Sequence, residues 1–282
     1  MAEWSSMKVF SNAYEKFVNG ISNFVPTVEK LFKSVCDNLM FVVICLLVTA
    51  VLIAAAHFAQ LAVAKKNRLN TSVKKNTTRR MCFIAILSAI ASVLMLFEIP
   101  LFFLPSFYEI DLSELPVLIG AFAMGPAAGI TIEFIKIVLN LLFNGTTTAF
   151  VGEAANFIIG CCFIVPAGII YMLKKTKRNA VIGMCAGGLI CVAAGSLLNA
   201  FVLLPTYASL FGMELSALIG LGTDKNSLIS GMGTFIAFAV APFNIIKCLA
   251  VSLITMPVYK PVSRVIKDDV TLYGSKPVST EK

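Results

Sequence analysis

Three pairs of polar residues, each pair three positions apart, interrupt the apolar runs of this chain: Glu133 with Lys136, Glu153 with Asn156, and Asn244 with Lys247. A fourth run carries Asn199 alone. Residues three apart share a helix face. Asn244 and Lys247 therefore present an amide and an ammonium side by side, which suits a ligand rich in hydroxyls or carbonyls. Glu153 and Asn156 repeat that arrangement. Glu133 and Lys136 read first as a structural ion pair. Lys247 lies inside "APFNIIKCLAVSLITMP", and a lysine at a bilayer centre costs roughly 2.5–3.5 kcal/mol even on lenient scales. Something must compensate it: a ligand, or a partner such as Glu153. The competing account of the asparagines is interhelical adhesion, worth about 1 kcal/mol or less each.

Other chemistries find little support. There is one histidine, His57, and none of the eight cysteines forms a CxxC pair. Most of the cysteines sit in apolar runs and read as small buried hydrophobes. A His/Cys metal site is not expected. An intramembrane enzyme would need a catalytic set, and the spans offer no GxSG and no paired aspartates. No G-x-x-x-x-G-K-[ST] loop occurs, so any ATP-driven work must be powered by another subunit.

These residues must be positioned by membrane helices. The chain is 58% hydrophobic and 13% charged, with a mean hydropathy of +0.89; soluble domains carry about 25% charged residues. An all-α polytopic membrane protein follows, since each span takes about 20 apolar residues. Residues 1–38 mix charge with Phe, Val and Leu, and the stretch 10–32 reads as an interfacial amphipathic helix. Residues 39–64 are an additional transmembrane helix. Residues 65–80 hold seven basic residues and no acid, a cytoplasmic linker by the positive-inside rule. Residues 81–265 form a six-helix membrane domain: 81–97, 115–124, 127–143, 153–173, 180–204 and 228–259, the last interrupted near Pro242. Residues 266–282 are a tail.

Placing the basic linker inside fixes the rest. The loop 98–114, with four acids by Pro116 and no Lys or Arg, falls outside, as do 144–152 and 205–227. "KKTKR" (174–178) and the basic tail fall inside, with a cytoplasmic C-terminus and residues 1–38 outside. The net charge of +8 thus describes plasma-membrane topology, and no nucleic-acid partner is expected. Small residues four apart, Ala85/Ala89, Gly125/Gly129 and Gly183/Gly187, permit close helix approach; for the glycine pairs this reads as internal packing.

The stretch "FEIPLFFLPSFYEIDLSELPVLIGAFAMGPAAGI" (97–130) resembles the first loop and second and third helices of the riboflavin-specific S components (RibU family) of energy-coupling-factor (ECF) vitamin transporters. "GEAANFIIG" (152–160), "FVLLPTY" (201–207) and "PFNIIK" (242–247) resemble parts of their helices 4, 5 and 6. The resemblance spans about residues 81–265, and the helix at 39–64 departs from it. It implies a six-helix S-component bundle, here preceded by an extra transmembrane helix, that binds riboflavin from outside, with FMN as the related alternative. It implies a transmembrane coupling subunit and two cytoplasmic ATPases as partners. Asn199, Asn244 and Lys247 would then bond the ribityl chain or the polar ring edge. Asp111 and neighbouring aromatics would line a pocket capped by the loop 98–114. Glu153 and Asn156 are weaker candidates, and Ala85 and Ala89 would dock on the coupling subunit. Riboflavin is the transported ligand, and no cofactor is implied. Rival readings are an S component for thiamine or pantothenate, an intramembrane enzyme, or a scaffold protein.

Overall fold

The computed structural model describes residues 2–66, 77–101, 104–105, 108–146, 148–210 and 212–269. Two N-terminal helices, α1 (Ala2–Ser22) and α2 (Phe24–Asp37), precede the long apolar α3 (Leu39–Lys66). The bundle follows: α4 (Thr77–Met95), α5 (Glu114–Met124), α6 (Pro126–Asn144), α7 (Val151–Leu173) and α8 (Lys177–Leu198). A π-helical turn, Asn199–Leu203, carries α8 into α9 (Leu204–Leu210). α10 (Leu215–Thr223) lies in the next connection. α11 (Met232–Phe235) then passes through a second π turn, Ile236–Val240, into α12 (Ala241–Asp269). Two short strands, β1 (Ile99–Pro100) and β2 (Glu109–Ile110), pair antiparallel within the 98–114 loop.

Among the described residues, six helical segments are long and apolar enough to cross a membrane, beginning with Leu39–Val63. The seventh apolar helix, α5, has only 11 residues and rises about 16 Å, half a bilayer. It tolerates this because it is buried on nearly every side, packed by α4, α6, α7 and α12. The sequence boundaries shift at two places. Thr77–Arg80 is already the first turn of α4, while 67–76 of the basic linker lie outside the described residues. α12 continues to Asp269, into the stretch read as tail, of which 270–282 lie outside the described residues.

Apolar side chains gain nothing by leaving lipid for protein, so membrane helices associate through close packing. The seam between α7 and α8 shows how. A Cβ on Gly187 would lie 2.2 Å from the Phe163 carbonyl oxygen, and one on Gly183 2.8 Å from that of Ala167. The glycine pair therefore packs α8 directly on the α7 backbone. Gly125, between α5 and α6, has φ +97°, a conformation glycine adopts without steric penalty, and Pro126 then starts α6 where no N–H is needed.

The N-terminal helices join this bundle on one flank. α3 lays Thr49, Ala56 and Gln60 inward as a single stripe, with Ala56 packed among α6 and α7 residues such as Ile130 and Phe157. α1 and α2 reach the far end of α6: Phe17 and Phe24 pack on Phe143, with ring centroids 6.4 and 6.5 Å apart.

Candidate functional site

The helix directions bring the ends of α4, α8 and the π turns together with the starts of α5, α7 and α12. Between them lies a cavity of about 220 Å³. Asp111, Asn156, Asn199, Asn244 and Lys247 all line it. Five of the six expected ligand residues, drawn from four separate stretches of sequence, thus converge. The sixth does not: Glu153 accepts a hydrogen bond from the Thr148 hydroxyl at 3.0 Å and is absent from the cavity wall. One turn of helix separates it from Asn156, enough to send it toward the 145–150 connection.

Two π turns shape the wall. Such turns add a residue to the helical repeat and recur at functional sites. Here they lie against one another, one beginning at Asn199 and one ending just before Ala241. Pro242 lacks an N–H, so a regular helix could not continue through it undisturbed. The asparagine amides bond back onto their own helices: Asn199 Nδ2 donates to the Gly195 carbonyl at 2.8 Å, which the Asn199 backbone N–H also reaches, and Asn244 Nδ2 donates to the Val240 carbonyl at 2.9 Å. Their Oδ1 atoms are left for other partners. Asn199 Oδ1 accepts the Tyr108 hydroxyl at 2.7 Å, and the Tyr108 ring packs 5.1 Å from that of Phe243. Burial and the neighbouring Tyr207 push the Tyr108 phenol up, so it stays a neutral donor. The cavity thus has an aromatic side, with Tyr108, Tyr207 and Phe243, and a polar side.

The polar side is an ion-pair network. Lys247 donates to Asp111 Oδ2 at 3.0 Å, which answers what compensates this buried ammonium. Its partner is Asp111, not Glu153. Asp111 Oδ1 accepts the Ser113 N–H at 2.8 Å, which pins the carboxylate beside the start of α5. Burial alone would raise the Asp111 pKa, but the Lys247 and Lys136 ammoniums outweigh it and bring it down to about 2. Behind it Lys136, fully buried, donates to Ser113 Oγ at 3.1 Å and Glu114 Oε1 at 3.0 Å. It also lies 2.7 Å from Glu133 Oε1, the structural pair expected from their spacing.

Glu114 was not singled out from sequence. It lines the cavity, and its Oε2 is buried with no hydrogen-bond partner among the described residues. The signal was present: it stands three residues after Asp111, at the start of a helix. Gly160 allows this network to exist, since a Cβ there would lie 2.6 Å from Glu133 Oε1 and 3.2 Å from Glu114 Oε1. Away from the cavity, Ala85 and Ala89 lie on an exposed stripe of α4 with Ile86 and Ile90.

Residues 79–259 match the sequence profile of the ECF transporter, substrate-specific component. Among similar proteins is the "Riboflavin transporter RibU" of Staphylococcus aureus (strain TCH60), 32% identical over 189 residues, covering 67% of this chain and 93% of that protein. Another is the "Riboflavin transporter FmnP" of Bacillus subtilis (strain 168), 30% identical and covering 62% and 87% respectively. A solved structure, "Structure and mechanism of the S component of a bacterial ECF transporter", superposes with a TM-score of 0.54 at 31% identity; the match covers 68% of this chain and 99% of that one. With the fold, the cavity and a family match over most of the chain in agreement, this protein belongs to the substrate-specific components of ECF transporters.

Proposed function

We propose that this chain captures riboflavin from outside the cell and delivers it through an ECF-type, ATP-driven importer. The observation that carries the reading is the two-sided cavity. One wall is aromatic, with Tyr108, Tyr207 and Phe243 packed together, and suits a flat ring. The other offers Asn156, Asn199, Asn244 and Lys247 beside Asp111 and Glu114, and suits a polyol chain. Pockets of this kind use apolar walls for affinity and a few placed polar groups for orientation. The relatives named as riboflavin transporters support the same ligand.

Lys247 has three N–H donors and gives one to Asp111. The others reach ribityl hydroxyls or the ring carbonyl edge, with Asn199 and Asn244 completing the set. The basic residues Arg79, Arg80, Lys174, Lys175, Lys177 and Arg178 sit at the end of the bundle opposite the cavity. By the positive-inside rule that end is cytoplasmic, so the cavity lies toward the outside and the C-terminus inside. A transmembrane coupling subunit and two cytoplasmic ATPases complete the importer, the coupling subunit meeting the α4 face that carries Ala85 and Ala89. FMN, larger by one phosphate, is the related ligand to compare.

The test is a titration of the purified, ligand-stripped protein with riboflavin, followed by quenching of flavin fluorescence. Saturation near one flavin per chain, undisturbed by thiamine or pantothenate, is expected. Folded protein that quenches no flavin fluorescence would overturn the assignment.

A further inference from the structure

The family match begins at residue 79, yet a side chain far upstream reaches the rim of the cavity. On α1, Ala13, Lys16, Phe17 and Gly20 fall on one face at helical spacing. Ala13 is buried, Phe17 packs on Phe143, and a Cβ on Gly20 would lie 3.2 Å from the Phe143 carbonyl oxygen. This seats α1 against the end of α6. From that seat Lys16 forms an ion pair with Glu98. Glu98 immediately precedes β1, and Glu109 lies opposite on β2, paired with Pro100. Both carboxylates line the cavity. Two acids at the rim of one hairpin repel when charged, and the hairpin has only two residues per strand. A two-stranded ribbon this short is not stable by itself.

We infer that Lys16 is a positioning residue for the binding site: the N-terminal helix α1 acts as a strut that holds the Glu98/Glu109 hairpin against the cavity and so sets how fast ligand exchanges. The inference deepens the riboflavin reading and rests on it for the identity of the ligand. The strut itself rests only on geometry. The pair is partly exposed, with side chains 40% and 30% accessible, so its contribution is that of a modest surface ion pair.

The experiment uses full-length protein in lipid nanodiscs with two readouts. Stopped-flow quenching of riboflavin gives association and dissociation rates. Hydrogen exchange at the amides of Ile99, Glu109 and Ile110, without ligand, reports the hairpin directly, Pro100 having no amide hydrogen. Lys16→Ala should raise both dissociation and hairpin exchange about two- to fivefold, and Lys16→Glu should raise them further, because it places a third negative charge at the rim. Lys16→Arg should match the wild type, and the swap K16E/E98K should return toward it, which simple loss of α1 packing would not allow. Hairpin exchange and ligand rates unchanged in Lys16→Glu would overturn the inference. A wild type that quenches no riboflavin but whose hairpin exchange still responds to Lys16→Glu would remove the ligand assignment and leave the strut in place.

Discussion

Asp111→Asn isolates the ion pair at the centre of the site. The substitution keeps the shape of the side chain and keeps an Oδ1 to accept the Ser113 N–H, which now lies at 2.8 Å. It removes only the charge facing Lys247. The two side chains are 8% and 16% exposed, so water does little to replace the lost partner. Removing one member of a buried pair costs about 3–5 kcal/mol, because the other charge is left uncompensated. Here Glu114 also acts on Lys247, which lowers the expected loss to about 2–3 kcal/mol. The double variant D111N/K247M removes both charges and should cost less than Asp111→Asn alone, since apolar replacement of a whole pair is often near neutral. Set against both single variants, Asp111→Asn and Lys247→Met, it yields a coupling energy, expected at about 1.5–2 kcal/mol. SDS-induced unfolding of ligand-free protein in mixed micelles measures it. If the double variant loses as much stability as the two single variants summed, the pair is not what holds Lys247 in place, and the electrostatic account fails.

Gly160→Ala drives a Cβ to within 2.6 Å of Glu133 Oε1, in a carboxylate cluster with no room to give, and should cost about 1–3 kcal/mol in the same unfolding assay; unchanged stability would contradict the close packing. Ala85→Leu with Ala89→Leu enlarges an exposed stripe of α4 and should impair cellular riboflavin uptake while purified protein still binds flavin; normal uptake would rule out docking there. Burial, a hydrogen bond that the protonated Glu109 carboxyl donates to Glu98 and the Glu98 charge raise the Glu109 pKa to about 7, with Lys16 opposing. A raised carboxylate stabilises the folded hairpin fully below about 4.5 and loses that contribution as pH rises through about 7, so flavin should dissociate faster at pH 8 than at pH 5.5, and Glu109→Gln should remove the difference.

The sequence revealed what is local in a helix and missed what is distant. Glu133 and Lys136 could be paired from spacing because both sit on α6, three residues apart. The partner of Lys247 could not, because Asp111 lies 136 residues away and Glu153 was an equally plausible carboxylate from charge alone. Pro242 marked the break in the last span, yet the π turns at Asn199–Leu203 and Ile236–Val240 have no composition signature; they show only in the fold, where they pack on each other. Glu114 read as one more acid of a polar loop until α5 turned out to begin there. Residues 10–32 showed amphipathic character, but only tertiary packing could show that the apolar side meets Phe143 rather than lipid headgroups alone. The family motifs supplied the convergence of Asn199, Asn244 and Lys247, which no periodicity could have given.

The way the site satisfies itself also bears on its selectivity. Asn199 and Asn244 spend one amide hydrogen each on their own helices, and Lys247 spends one on Asp111. None of these residues depends on ligand to stay folded, so the cavity is preorganised. What remains is a set of mixed polarity: further donors on Lys247, the Oδ1 of Asn244, and Glu114 Oε2, which is buried and has no hydrogen-bond partner among the described residues. An apolar ligand of equal volume would bury all of these without partners, at about 1–3 kcal/mol for each group left unsatisfied. A ligand with several hydroxyls both donates and accepts, and can meet the carboxylate and the ammonium together. Under the proposed function, discrimination therefore comes from the penalty imposed on ligands without the polyol chain, while the aromatic wall supplies affinity that any flat ring would share.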